Sequence, residues 1–189
     1  MDYAAETTPY PEGSLSYFLT TARLGFRCWS EADLPLALDL WGNEETTRLI
    51  GGPFSSAQIA ERLHREISTM REFKVQYWPM FFLRTGEHVG CGGLRPYKVE
   101  EDILELGFHL LPNYWGEGLA IEAARGIITY AFDSLGAKAL FAGHHPENAA
   151  SRRVLEKLGF ARTHEELYPP TGLLHPSYLL TRAQHASTR

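Results

Sequence analysis

The chain of 189 residues predicts a single α+β domain built on a mixed sheet. Three observations lead there. Apolar positions alternate between a spacing of about 3.6 and a spacing of 2, giving two early helices, an antiparallel meander and a strand-helix-strand-helix passage. The length suits one domain with a substantial core, and no segment repeats another. An apolar share of 44% with 12% aromatic residues belongs to a folded chain rather than a disordered one.

Residues 1–20 carry three acids, two prolines and no base, and are expected to be an extension with little structure of its own. The domain proper is expected over 21–183, with 184–189 as a tail. A strand should run from about Ala22 through Cys28. Ser30-Glu31-Ala32-Asp33 then caps a helix reaching Trp41. Gly51-Gly52-Pro53 breaks the chain, and Ser55 or Ser56 caps a second helix to Met70, with Leu63, Ile67 and Met70 on one face. Strands at 77–84 and 88–96 flank the hairpin turn Thr85-Gly86-Glu87, and 103–111 is the third strand. A helix over 117–135 aligns Leu119, Ala123, Ile127, Ala131 and Leu135, and Gly136 ends it. A short interior strand at 139–143 and a helix at 148–158 follow, the latter stopped by Gly159. Strands at 160–167 and 177–181 enclose Pro169-Pro170.

Composition narrows the function. A formal net charge of −5 argues against nucleic acid or an anionic membrane as partner. Cys28 and Cys91 show no metal or redox spacing, and the eight histidines show no ligand spacing, so neither a disulfide framework nor a metal site is expected. No run approaches the roughly 18 apolar residues of a membrane span, and the first basic residue is Arg23, unlike a signal peptide. A cytoplasmic protein is expected.

The most informative segment is Pro112-Asn113-Tyr114-Trp115-Gly116-Glu117-Gly118-Leu119-Ala120, which closes an alternating strand and opens a long amphipathic helix. Two glycines let the backbone approach a ligand, and a helix start offers unpaired N–H groups with a positive dipole end. No Gly-Lys-Ser/Thr follows, so a nucleotide-hydrolase loop is excluded. Ile121 stands where a dinucleotide fingerprint needs Gly or Ala. A main-chain pyrophosphate cradle of a third kind is left, beside the simpler possibility of a tight turn.

Here the chain resembles the GCN5-related N-acetyltransferases (GNAT), in particular the RimJ/RimL-like branch. The family signature Arg/Gln-x-x-Gly-x-Gly/Ala is matched by Asn113 to Gly118, followed by Leu119-Ala120. A second signature is His145-Pro146-Glu147-Asn148-Ala149-Ala150-Ser151, continuing to Glu156-Lys157-Leu158-Gly159-Phe160. Thr21-Ala22-Arg23-Leu24 and Thr46-Thr47-Arg48-Leu49 also look like the branch. The likeness covers about 22–182. It implies a sheet splayed in the middle with helices on both faces, and acetyl-CoA as acyl donor. It further implies an amine acceptor, either a peptide N-terminus or a small amine, attacked directly in a ternary complex. The coenzyme is expected at Leu110, Leu111, Trp115, Gly116, Gly118, Leu119, Ala120, Asn148 and Ser151. A monomer or homodimer fits equally.

Two departures stand out. Asn113 replaces the usual Arg or Gln, and Leu155 stands where many relatives carry a Tyr that protonates the leaving thiolate. Ser151 or water is the alternative acid, and Ser151 is equally a candidate helix cap or pantetheine contact. Alternation over 103–111 puts Glu105, Gly107 and His109 on one face, so Glu105 is the candidate general base and Gly107 is expected to leave room for the acyl group. An α-amine with a pKa near 8 costs about 1 kcal/mol to deprotonate at neutral pH, against about 4.6 for a lysine-like amine near 10.4, which favours an α-amine. His144 and His145 adjoin a strand end, so at most one should face the acceptor, and His145 is expected to be structural. Cys91 reads as a small buried side chain rather than a nucleophile. Trp41, Trp78, Tyr10 and Tyr17 are candidates for the acceptor pocket, with core packing the first expectation for both tryptophans. An inert acyl-CoA-binding module is the rival function.

Overall fold

The computed structural model describes residues 16–187, so Tyr10 and most of the expected extension lie outside it. In chain order the elements are β1 (Leu19–Thr20), β2 (Leu24–Phe26), α1 (Leu34–Trp41), α2 (Glu44–Thr47), α3 (Ser56–Phe73), β3 (Tyr77–Phe82) and β4 (His88–Lys98). There follow β5 (Ile103–Leu110), α4 (Leu119–Asp133), β6 (Ala139–Gly143), α5 (Ala149–Lys157), β7 (Ala161–Tyr168), β8 (Leu173–Thr181) and α6 (Arg182–Ser187). All eight strands form one sheet in the order β1-β2-β3-β4-β5-β6-β8-β7. Every pairing is antiparallel except β5 with β6.

Several boundaries depart from the sequence expectation for identifiable reasons. The supposed extension reaches into the sheet: Phe18 N–H donates to Phe26 O at 3.0 Å, and its ring packs on Trp78 and Tyr130 at 5.0 and 5.4 Å. The first helix begins as a 3-10 turn (Glu31–Asp33), because Pro35 has no N–H to return to Glu31. Asn43 caps α2 by accepting from Thr46 N–H at 3.0 Å; four residues are too few to show a period in sequence. Ser55 caps α3 as expected. Four residues of the expected tail, 184–187, are helical in α6. Arg182 at its start donates to Phe132 O in the last turn of α4 and to Ala137 O just beyond it.

Two apolar layers fix the sheet between helices. One face carries α4 and α5, with Leu119, Ile127, Phe132 and Leu155 packed on Trp78, Leu106 and Leu140. The other carries α1 and α3, with Leu40, Trp41, Ile59 and Leu63 packed on Tyr77 and Cys91. Each aliphatic side chain so buried contributes about 1.5–3 kcal/mol.

Candidate active site

Strands β5 and β6 pair for three residues only, from Ile103 with Ala139 to Glu105 with Phe141. Beyond that β5 stays with β4, while Ala142 and Gly143 stay with β8. The sheet therefore opens into a cleft of about 870 Å³ that passes from the α4/α5 face to the α1/α3 face. Leu111 N–H donates to Val89 O at 3.1 Å. By the alternation of an antiparallel ladder, Phe108 and Leu110, beyond the last β5–β6 pair, therefore turn main-chain groups into the opening.

On the α4 side, Gly116 and Gly118 hold φ of 81° and 78°, the left-handed region. A Cβ at Gly116 would meet nothing within 4 Å, and one at Gly118 only Arg23 Nη2 at 3.9 Å. No side chain caps α4. Its first N–H groups therefore point into open space with the positive end of the helix dipole. Trp115 Nε1–H donates to Leu110 O at 2.9 Å and ties the turn to the strand end. From behind, Arg23 Nη2 donates to Glu117 O at 3.1 Å while Glu122 accepts from Arg23 Nε at 2.6 Å. The Glu117 side chain is exposed. An anion fits this turn, and the open Cβ positions leave space for a diphosphate.

On the other side, Glu105 faces the cleft and accepts from Tyr77 Oη at 3.1 Å. Burial raises its pKa above the ordinary carboxylate range, against the pull of Arg95 and the Tyr77 bond. Arg95 stacks on the Tyr77 ring at 4.1 Å and pairs with Glu66, a carboxylate only 1% exposed on α3. Glu66 also accepts from Tyr77 N–H at 2.9 Å. His109 lies on the same face; Trp41 Nε1–H donates to its Nδ1 at 3.4 Å, and burial holds its pKa well below the usual value.

The family model for an acetyltransferase (GNAT) domain matches residues 23–161. The chain belongs to the GNAT family of N-acetyltransferases. An uncharacterised N-acetyltransferase of Bacillus licheniformis, p20, is 29% identical over 146 residues, covering 76% of this chain and 82% of the relative. Two solved structures share the fold. RimL, a ribosomal L7/L12 α-N-protein acetyltransferase, gives a TM-score of 0.76 at 14% identity, over 92% of this chain and 98% of its own. The aminoglycoside acetyltransferase AAC(6')-Ib, in complex with coenzyme A, gives 0.73 at 19% identity, over 88% and 99%. The GNAT fold binds acetyl-CoA, and the splayed sheet expected from the sequence is the one observed.

Within this GNAT cleft the structure brings together Glu105, Leu110, Trp115, Gly116, Gly118, Leu119, Ala120, Asn148 and Ser151. Leu111 falls outside: it packs with the α1/α3 core, its N–H taken by Val89 and its carbonyl by Tyr114. Asn148 Oδ1 accepts from Ser151 N–H at 2.9 Å and caps α5, with Ser151 in its first turn beside the opening. Leu155 is buried in the core. The space expected over Gly107 is filled by Tyr77, since a Cβ there would lie 2.1 Å from its phenolic oxygen. Both His144 and His145 border the cleft, because β6 ends at Gly143 and strand alternation no longer applies. Tyr17 packs on Phe81 at 6.0 Å, away from the cleft, and both Trp41 and Trp78 are fully buried. Cys91 is buried, with its thiol pushed up to about 12 by burial, so it does not serve as a nucleophile. No group of three or more metal-ligating side chains forms among the described residues.

Sequence reasoning missed Tyr77, Arg95, Glu66 and Arg62. For the first two the signal is the strand register, which a single sequence does not print. For Glu66 and Arg62 a signal exists: both fall inside the apolar stripe Ile59, Leu63, Ile67 of α3, where a charge requires a buried partner.

Proposed function

We propose that the protein moves an acetyl group from acetyl-CoA to a primary amine by direct attack in a ternary complex, with Glu105 as general base. One observation carries this: a half-buried, hydrogen-bonded carboxylate stands at the last position of β5 paired with β6, on the opposite face of the split sheet from the uncapped start of α4. The coenzyme supplies the activated thioester. Main-chain N–H groups of Gly116, Gly118, Leu119 and Ala120 hold its pyrophosphate, each charge-assisted bond adding about 1.5–3 kcal/mol. The gap-facing groups of Phe108 and Leu110 align the pantetheine, and an N–H of this strand polarises the thioester carbonyl. Glu105 takes the amine proton through water, and Ser151 or water returns one to the sulfur.

The acceptor is a peptide N-terminus or a small amine. The Tyr114-Trp115-Gly116-Glu117-Gly118 form and the fold shared with RimL support the RimJ/RimL-like branch and an α-amine. A reducing cytoplasm is the proposed setting, supported by two free cysteines.

Thiol release from acetyl-CoA is measured against peptides with different first residues, aminoglycosides, polyamines and amino acids. Turnover on at least one amine is expected. Glu105→Gln should then lower kcat/KM by about 10²–10⁴ and remove the acid limb of the pH profile, with coenzyme affinity retained. Coenzyme binding with no turnover on any amine identifies an inert acyl-CoA binder instead.

A further inference from the structure

The acceptor end of the cleft holds a cation that the chemistry above does not use. Arg62 projects from α3 into the cleft on the α1/α3 face, away from the α4 turn. Its guanidinium lies 4.6 Å from the centre of the Trp41 ring and 5.9 Å from that of Phe54. Its Nε is buried without a hydrogen-bond partner, and no carboxylate among the described residues lies within ion-pairing distance. Glu66, one turn further along the helix, is already taken by Arg95 and by Tyr77 N–H.

The charged surroundings favour an anion. Arg95 and Glu66 offset each other, and Glu105 keeps its charge but lies four residues along β5 from His109, at the proposed amine end. Cys91 and His109 are both neutral, one held up and the other held down by burial. Burial and the neighbouring Arg95 charge both work against the Arg62 cation. Trp41 links two donors: it supports the guanidinium and donates to His109 Nδ1, which leaves the proton of the neutral imidazole on Nε2. Arginine presents a planar fork matched to a carboxylate, and stacking on an aromatic ring fixes that fork in place.

We propose that Arg62, with His109 Nε2–H lining the same cleft, is the subsite for a carboxylate on the acceptor, so that the substrate is an amine that also carries a carboxylate. The inference rests on the acetyltransferase reading and specifies its acceptor. Along β5, Glu105 and His109 are four residues apart on one face, about 13 Å of strand. The amine end and the acid end of one small molecule, or of a short peptide, span that distance less the reach of the side chains. The loop after α2 meets the β7–β8 turn near the cleft: a Cβ at Gly51 would lie 2.8 Å from Pro170 Cβ, and the adjoining Ile50 and Tyr168 line the opening.

The test compares acceptors that differ in the acid alone. One arm sets glutamate against glutamine and against its α-amide; the other sets short peptides with glutamate or glutamine as second residue against each other. Thiol release from acetyl-CoA is followed with the wild type, Arg62→Met and Arg62→Lys. The wild type should prefer the acid over the matched amide at least tenfold in kcat/KM, mostly through KM, in one arm, which then names the source of the carboxylate. Arg62→Met should bring that ratio close to one, and Arg62→Lys should give an intermediate value. Coenzyme A titration of each variant checks that the fold persists. A wild-type ratio near one, a preference for the amide, or a ratio unchanged in Arg62→Met overturns the carboxylate subsite and leaves the acetyltransferase reading standing. Silence on every amine removes both.

Discussion

Replacing Gly118 by alanine separates the strain of the signature turn from its grip on the coenzyme. The residue sits at φ 78°, where a Cβ costs roughly 1–2 kcal/mol, but its new methyl would find no protein atom nearer than Arg23 Nη2 at 3.9 Å. The fold should therefore survive, with Tm lower by about 2–8 °C for a domain of this size. Binding should suffer more. The methyl projects beside the N–H groups proposed to hold the pyrophosphate, and losing one charge-assisted bond of about 1.5–3 kcal/mol weakens Kd by about 10- to 100-fold. Calorimetric titration with coenzyme A and with pantetheine, which lacks the phosphates, isolates the effect. Affinity for coenzyme A should fall while that for pantetheine holds. Equal losses for both ligands, or an unchanged coenzyme A affinity alongside the expected fall in Tm, would refute a main-chain phosphate cradle.

Three other outcomes are expected. Tyr77→Phe removes the bond that holds the Glu105 pKa down, so the acid limb of the kcat/KM profile should move to higher pH; a limb that stays in place removes Tyr77 from tuning the base. Arg95→Met leaves Glu66 buried without its partner and should cost about 3–5 kcal/mol in a denaturant melt, with the Arg95→Met/Glu66→Gln double variant recovering much of the loss. Burial lowers the His88 pKa to about 4, so the unfolded chain, with its histidine near 6.5, binds the proton more readily. Roughly 3 kcal/mol of stability present above pH 6.5 should be lost as the pH falls towards 4, and His88→Phe should flatten that slope in chemical melts taken across the range.

The order of strands and helices was readable because long apolar periods survive in a single sequence. The helix containing Leu119, Ala123 and Ile127 and the alternating strand around Glu105 are both found, each with a boundary shifted by two residues or fewer. The shifts have local causes. Gly118 in the left-handed region cannot belong to the helix, so α4 begins one residue later. The proposed coenzyme side was legible because it lies on one continuous segment, where turn, glycines and helix start adjoin. The acceptor side was not. Its parts come from α1, α3, β3, β4 and β5, and only the register that places Arg95 opposite Glu105 joins them. Leu111 shows the reverse failure, since the strand end that looked available is closed by Val89 and Tyr114.

The two halves of the cleft also differ in how they tune chemistry. The α4 turn acts through fixed main-chain dipoles that no titration alters. The proposed base is tuned through a chain of side chains, Glu66 to Arg95 to Tyr77 to Glu105, anchored on α3. Burial raises the Glu105 pKa, Arg95 lowers it, and Glu66 opposes Arg95 by neutralising it. The carboxylate on α3, which touches no reacting atom, thus helps to hold the pKa of Glu105, the proposed base, above the ordinary carboxylate range. Glu66→Gln frees the Arg95 charge to act on Glu105, so the acid limb of the kcat/KM profile should move to lower pH, opposite in sign to Tyr77→Phe. Limbs that move the same way in both variants would mean that general loosening of the α3 face, rather than charge, sets the base.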